Sequence, residues 1–326
     1  MKAVVRTQYG SPDVLHFAEI ATPTPTDSEV MIKLCAASVN PLDLFLMKGA
    51  PWNRLIPGLR TPKHKVLGCD IAGQVEAVGR NVKQFHVGDE VFGVTGFQGN
   101  GFAEFVCAKE EKLATKPANV SFEDAAAVPI AASTALQGLR DKGRIQPGDK
   151  VLVEGASGGV GTFAVQIAKV FGAEVTAVCS TRNMETAQSI GADRVIDYAQ
   201  VDFTRNGQRY DLILAANAHH SIFDYRRALT QDGIYVAAGG GVLRILQALV
   251  LGPFLSLIGR KKMRFFLANI NQKDLAFLKD LLEARQIVPV IDRRYPLSAA
   301  AEALRYLAEG HAQGKVVLTV QPCARA

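Results

Sequence analysis

The sequence predicts an α/β protein in which a small, irregular β-barrel precedes a doubly wound parallel sheet. Three observations carry this. The first third is a series of short β-branched runs parted by Gly, Pro and Asp. After Pro147-Gly148-Asp149 the pattern becomes a strict alternation of strand and helix. A glycine-rich turn joins the first strand of that alternation to its helix.

A chain of 326 residues is long enough for about two domains. The expected division is a barrel-like domain at 1–122, a strand–helix alternating domain at 123–265 and a C-terminal segment at 266–326 that returns to the first domain. In the barrel, "MKAVVRT", "EVMIKLCAAS", "DIAGQVEAVG" and "EVFGV" read as strands, with glycines at the turns between them. "SFEDAAAVPIAASTALQGLR" reads as helical, with Ser121 as its N-cap. Then follow strand "KVLVEGA", helix "GVGTFAVQIAKVFG", strand "EVTAVCS", helix "NMETAQSIG", strands "DRVIDY" and "YDLILAAN", helix "IFDYRRALTQDG" and strand "IYVAAGG". Apolar runs such as 212–216 suit strands covered on both faces. Beyond Lys262 the pattern gives a short strand, a helix at 272–285, a strand near 288–291, a helix at 299–309 and a closing strand at 315–320.

Composition narrows the function classes. Apolar residues make up 48% and charged residues 21%, the balance of an ordinary globular protein. The net charge of +6 comes with no basic block beyond "GRKKMR", so no nucleic-acid partner is expected. The five cysteines are scattered and none forms a C-x-x-C pair, so neither a zinc lobe nor a disulfide framework is indicated. The N-terminus has no apolar leader segment, and a cytoplasmic location is expected. The segment from Val242 to Ile258 is apolar but holds Arg244 and is broken by Gly252-Pro253, whereas a membrane span needs about 20 uninterrupted apolar residues. It reads as two short helices covering a cleft or a subunit contact. Weak membrane contact is the other reading.

In "VLVEGASGGVGTFAVQIAK" the small residues Gly155, Ser157, Gly158, Gly159, Val160 and Gly161 lie between a strand and an amphipathic helix. Small side chains let the backbone approach a pyrophosphate, and the helix N-terminus presents free amides to it. A second strand then ends in "VTAVCSTRN". An NAD site would place an Asp or Glu here to hold the ribose diol, but none occurs in residues 175–183. Ser180, Thr181 and Arg182 stand there instead, as donors suited to a 2′-phosphate, so the expected cofactor is NADPH. The alternative, that "STRN" only caps the next helix, is compatible with this role. Gly239, near the end of "IYVAAGG", is assigned to the same site.

"AASVNPLDLFLMKG", "LGCDIAGQVEAVG", "GDEVFG", "GGVGTFAVQIAK", "GADRVIDY" and "GKVVLTV" occur in an order that resembles the medium-chain dehydrogenase/reductase superfamily over essentially the whole chain. Within it the chain is similar to the zinc-free quinone oxidoreductase and enone reductase branch. The resemblance implies a GroES-like barrel and a Rossmann domain. It also implies that Asn40 lies near the nicotinamide, that Asp43 supports the same loop, that Ser133 and Thr134 line the pocket, and that Tyr198 contacts the cofactor. Asn40 has a second reading as a turn residue before Pro41, and Tyr198 as a packed strand residue. Zinc enzymes of the superfamily carry Gly-His-Glu where this chain has Gly68-Cys69-Asp70, and a Cys near the position of Ser38-Val39-Asn40-Pro41. No histidine stands at ligand spacing from a cysteine, and no metal is expected.

Without a Lewis acid, a conjugated enone or a quinone is the easier hydride acceptor, because its charge delocalises. The expected activity is therefore NADPH-dependent reduction of a lipophilic quinone or α,β-unsaturated carbonyl in a cleft between the domains. The chain is expected to act as a homodimer on a small-molecule substrate defined by loops around Trp52 and Phe97. The alternatives are a non-catalytic NADPH-binding protein and a membrane-peripheral protein of the same fold.

Overall fold

The computed structural model describes residues 1–49, 61–96 and 99–321. The loops around Trp52 and Phe97 lie outside them. In chain order the strands and α-helices are β1 (Lys2–Val5), β2 (His16–Glu19), β3 (Glu29–Val39), α1 (Pro41–Lys48), β4 (Asp70–Val78), β5 (Glu90–Val94), β6 (Phe105–Lys109), β7 (Leu113–Thr115), α2 (Phe122–Ala126), α3 (Pro129–Leu136), β8 (Lys150–Glu154) and α4 (Gly159–Val170). They continue as β9 (Glu174–Cys179), α5 (Met184–Ser189), β10 (Arg194–Asp197), β11 (Tyr210–Ala215), α6 (Ile222–Ala228), β12 (Leu229–Ala237), α7 (Val242–Leu257), β13 (Lys262–Phe265), α8 (Gln272–Glu283), β14 (Ile291–Pro296), α9 (Ala300–Ala308) and β15 (Lys315–Thr319).

The chain folds into two compact units. The first comprises 1–130, 270–285 and 291–326, and the second 131–269 and 286–290. The first boundary falls at 131 rather than at 123, because α2 and the residues after it stay with the first unit. The Ile130 amide donates to the Asp70 carboxylate at 2.9 Å. Residues 286–290 join the second unit, where the Gln166 side chain donates to the Val288 carbonyl and accepts from its amide.

In the first unit the sheet runs β14-β15-β3-β4-β5-β7, with β6 paired to β3. The β14–β15 pair is parallel and the remaining pairs are antiparallel. Val30, Ile32 and Leu34 alternate inward along β3 and meet Ile71, Val75 and Val91 in one apolar core. A second core packs α9 residues Ala303 and Leu304 against Val39 and Val316.

The second unit holds six parallel strands in the order β10-β9-β8-β11-β12-β13. Numbered from β8, this is the doubly wound order 3-2-1-4-5-6, whose reversal lies between β8 and β11. The strands are apolar because helices cover them: Leu152, Ile213, Tyr235 and Tyr225 pack in one core.

Three local expectations are corrected. The helix at "IFDYRRALTQDG" stops at Ala228, and Gln231 and Asp232 belong to β12. The β11–β12 register shifts between Tyr210 and Leu212, and a Cβ on Gly233 would lie 2.9 Å from the Tyr210 carbonyl. The expected strand near 288–291 instead runs over Ile291–Pro296. Val242–Leu257 is one helix with Pro253 inside it, not two. Gly252 lets this helix close on β13, because a Cβ there would stand 2.9 Å from the Met263 carbonyl. The Ser256 hydroxyl donates to the Gly252 carbonyl at 2.7 Å. Cys69, Cys107 and Cys179 are free thiols.

Candidate functional site

The second unit supplies a backbone cradle. Gly155 follows β8 with φ +75°, a conformation open to glycine, and a Cβ there would meet Asn217 at 3.0 Å. A Cβ on Gly161 would lie 2.0 Å from the Gly155 carbonyl, so the first turn of α4 presses directly on the glycine turn. Gly158 caps α4 with no side-chain hydrogen bond, which leaves the first amides of a 12-residue helix to an incoming anion. Ser157, Gly158, Gly159 and Val160 are half-buried at this edge, whereas Gly161 is buried. Gly239 is fixed by close approach, since a Cβ would stand 2.3 Å from the Ala216 carbonyl.

Ser180, Thr181 and Arg182 follow β9 directly; Ser180 is half-buried and the other two are exposed. The three do not present equal donors. The Thr181 hydroxyl donates to the Asp197 carboxylate, and Ser180 Oγ accepts from the Asn183 amide at 3.0 Å. Ser180 therefore keeps its own proton. An acid is thus present after all, brought from the neighbouring strand, where Asp197 pairs in register with Cys179. The Thr181 hydroxyl and the Ala199 amide hold the Asp197 carboxyl below the ordinary carboxylate range. Tyr198 is 63% exposed, so its ring is not a packed strand residue. Ser133 is buried, and its hydroxyl has no partner among the described residues; Thr134 beside it is also buried.

Glu154, the last residue of β8, was not singled out from the sequence. It is buried and accepts from the Tyr225 hydroxyl at 2.5 Å. The same hydroxyl accepts from the His219 and His220 amides. Burial raises the Glu154 carboxyl to about 7, against the lowering effect of the Tyr225 bond. The available signal was a lone acid closing an apolar strand beside the glycine turn.

The first unit holds a buried polar network around Asn40. The Asn40 amide nitrogen donates to Asp70 at 2.9 Å and to the Ser38 carbonyl at 3.4 Å, while its oxygen accepts from Lys315 Nζ at 2.7 Å. Asp70 also accepts from Ser38 Oγ at 2.8 Å and lies 3.4 Å from Lys315 Nζ. The side chain of Asn40 is thus committed inside the unit, and Asn40 is the N-cap residue of α1. Asp43 is fully buried and accepts from the backbone amides of Asn40 at 2.8 Å and Gly68 at 3.1 Å, tying α1 to the start of β4. Burial raises the Asp43 carboxyl to about 7, with the Asp70 charge pushing the same way. Lys315 was missed, although it is a lone cation heading the apolar run "KVVLTV".

Comparison with known proteins places this arrangement. Residues 26–118 match the alcohol dehydrogenase GroES-like domain, and residues 190–318 match the zinc-binding dehydrogenase domain. A chloroplast envelope quinone oxidoreductase homolog of Arabidopsis thaliana is 34% identical, with 98% of each chain covered. The chain belongs to the medium-chain dehydrogenase/reductase superfamily. Another relative within it, the NADPH-dependent alkenal/one oxidoreductase of A. thaliana, is 32% identical over 98% of this chain and 79% of its own. The structure of a quinone oxidoreductase from Coxiella burnetii superposes with a TM-score of 0.86 at 30% identity, covering 98% of this chain and 99% of the other.

The superfamily's nicotinamide dinucleotide fits the residues present: a cradle that a Cβ would fill, an uncapped helix start and exposed side chains past β9. Zinc fits less well. Among the described residues no group of three or more His, Cys, Asp or Glu is arranged to hold a metal ion. Cys69, at the position of the zinc enzymes' histidine, is a buried thiol whose pKa is pushed well up by burial and by the charges of Asp43 and Asp70.

Proposed function

We propose that this protein is an NADPH-dependent, zinc-free reductase that transfers hydride to a lipophilic quinone or α,β-unsaturated carbonyl. The observation that carries the reading is the pairing of the glycine cradle with the Ser180–Thr181–Arg182 sequence at the end of β9. Relatives named as quinone and alkenal/one oxidoreductases support the substrate class.

Bound NADPH would supply hydride from the nicotinamide C4. The α4 amides and residues 155–161 hold the pyrophosphate, with Gly239 closing the same edge. Ser180 and Arg182 hold the 2′-phosphate, while Thr181, its proton spent on Asp197, positions the turn. Tyr198 offers an exposed ring face to the cofactor. Thr134 lines the nicotinamide pocket, and the buried Ser133 hydroxyl is a donor available to a bound group. Asn40 and Asp43 act by holding the loop before α1 rather than by donating protons. A conjugated acceptor asks little more of the protein than positioning, because its negative charge spreads over several atoms. A cytoplasmic location and a homodimer belong to the same reading.

The test is NADPH and NADH oxidation against a panel of enals, enones and quinones, before and after chelation. Turnover with NADPH that survives chelation is expected. Tight NADPH binding with no turnover across the panel would support a non-catalytic role. Stoichiometric zinc lost together with activity would overturn the metal-free reading.

A further inference from the structure

The outward face of α7 has no counterpart in the reading above. Ala248 and Gly252 turn inward on this helix, and Leu251 and Leu255 pack on the second unit's core. The opposite face carries Leu243, Leu246, Leu249, Val250, Phe254 and Leu257, all exposed, with Leu257 at 83%. At 100° per residue these six share one side of the helix. A contiguous apolar face of this kind marks an interaction surface.

Cations surround it. At the C-terminal end of α7, Lys262 Nζ donates to the Ser256 carbonyl at 2.9 Å, Arg226 donates to the Ile258 carbonyl, and Lys261 donates to the Arg226 carbonyl. Arg226 and Arg209 crowd Lys261 and, after burial, lower its pKa. On the flank, a hollow is walled by Leu249, Pro253 and Phe265 and edged by Lys142, Arg144 and Arg264, with one acid, Asp141, on the same edge. Burial and the neighbouring Arg144 charge lower the pKa of Arg264. The acids nearby are engaged: Asp141 pairs with Arg140, and Asp232 with Arg260.

We infer that α7 docks the protein on an anionic lipid surface, its apolar face in the acyl boundary and lipid phosphates seated at Arg144, Arg264 and the cations of the helix end. An interfacial helix sinks its apolar side about 5–10 Å into that boundary. Each Lys or Arg near an anionic leaflet adds about 1 kcal/mol of attraction. At 16 residues with Pro253 inside, α7 lies along the surface, and no helix among the described residues is long and apolar enough to cross a membrane. A second copy of the chain fits the same face poorly, because it would set cations against cations with the nearby acids already paired.

Co-sedimentation with vesicles of phosphatidylcholine, with and without phosphatidylglycerol, tests this. The protein should bind the anionic vesicles, and added salt should weaken the binding. Arg144→Gln with Arg264→Gln should lower partitioning roughly tenfold or more, from about 1 kcal/mol per charge. Phe254→Asp with Leu257→Asp should abolish it; both side chains are mostly exposed, so the thermal midpoint should stay unchanged. Failure to bind anionic vesicles would overturn the inference, as would equal binding by the variants. Release by dilute inorganic phosphate would assign the cations to a free anion instead. An oligomer that dissociates in the Asp variant without lipid binding would assign the face to a second copy. Each of those two results also overturns it.

Discussion

The cradle of the second unit and the Asn40 network of the first hold polar groups in opposite ways. The cradle is made of backbone. Gly155, Gly158 and Gly161 remove side chains so that amides can meet a ligand, and the whole turn spans seven consecutive residues. The Asn40 network is made of side chains that satisfy one another. Asn40, Asp70 and Lys315 come from distant parts of the sequence and leave no hydrogen-bonding group of Asn40 unused. The first arrangement is built to receive a ligand, and the second to fix a loop.

The largest expected effect comes from breaking the closed network. Lys315→Met removes the ammonium from two buried partners, Asn40 Oδ1 and Asp70. Leaving a buried charge without its partner costs about 3–5 kcal/mol. Urea unfolding should show a loss of this size. A loss below about 1 kcal/mol, the scale of an exposed ion pair, would show that the network is not closed.

A somewhat smaller effect sharpens the contrast from the cradle's side. The Glu154 carboxyl is raised from its ordinary 4.5 to about 7, mainly by burial. A carboxyl raised on folding favours the folded state at low pH. Its contribution is fully present below about 4.5 and is lost as pH rises through about 7. Glu154→Gln keeps an acceptor for the Tyr225 hydroxyl and removes the titration. Between those two pH values the variant should lose less stability than the parent, by of order 2–3 kcal/mol. Thermal midpoints measured across that range would show it. Asp43 titrates with the same sign in the first unit, so parallel pH profiles for parent and variant would place the dependence on groups other than Glu154.

The parallel sheet and its glycine turn were legible because their signals are local. Strand, turn and helix follow one another along the chain, and the glycines fall between the strand and the helix they join. Helix ends were less so: α6 stops at Ala228 because the next residues are drawn into β12, a long-range pairing that helix periodicity does not report. Pro253 suggested a break in α7, but contact between Gly252 and β13 kept the helix in one piece. Residues 175–183 hold no acid, and only the sheet pairing brings Asp197, one strand away, to the Thr181 hydroxyl. Lys315 was invisible for the same reason, since its partners lie 275 and 245 residues away.

The central claim is that the end of β9 selects a 2′-phosphate. The most direct measurement is the dissociation constants of NADPH and NADH for the parent and for Arg182→Ala. Removing one charge-assisted contact should weaken NADPH by about 1.5–3 kcal/mol, roughly ten- to a hundredfold, and leave NADH nearly unchanged. Equal losses for the two cofactors, or parent affinity for NADH matching that for NADPH, would contradict the account.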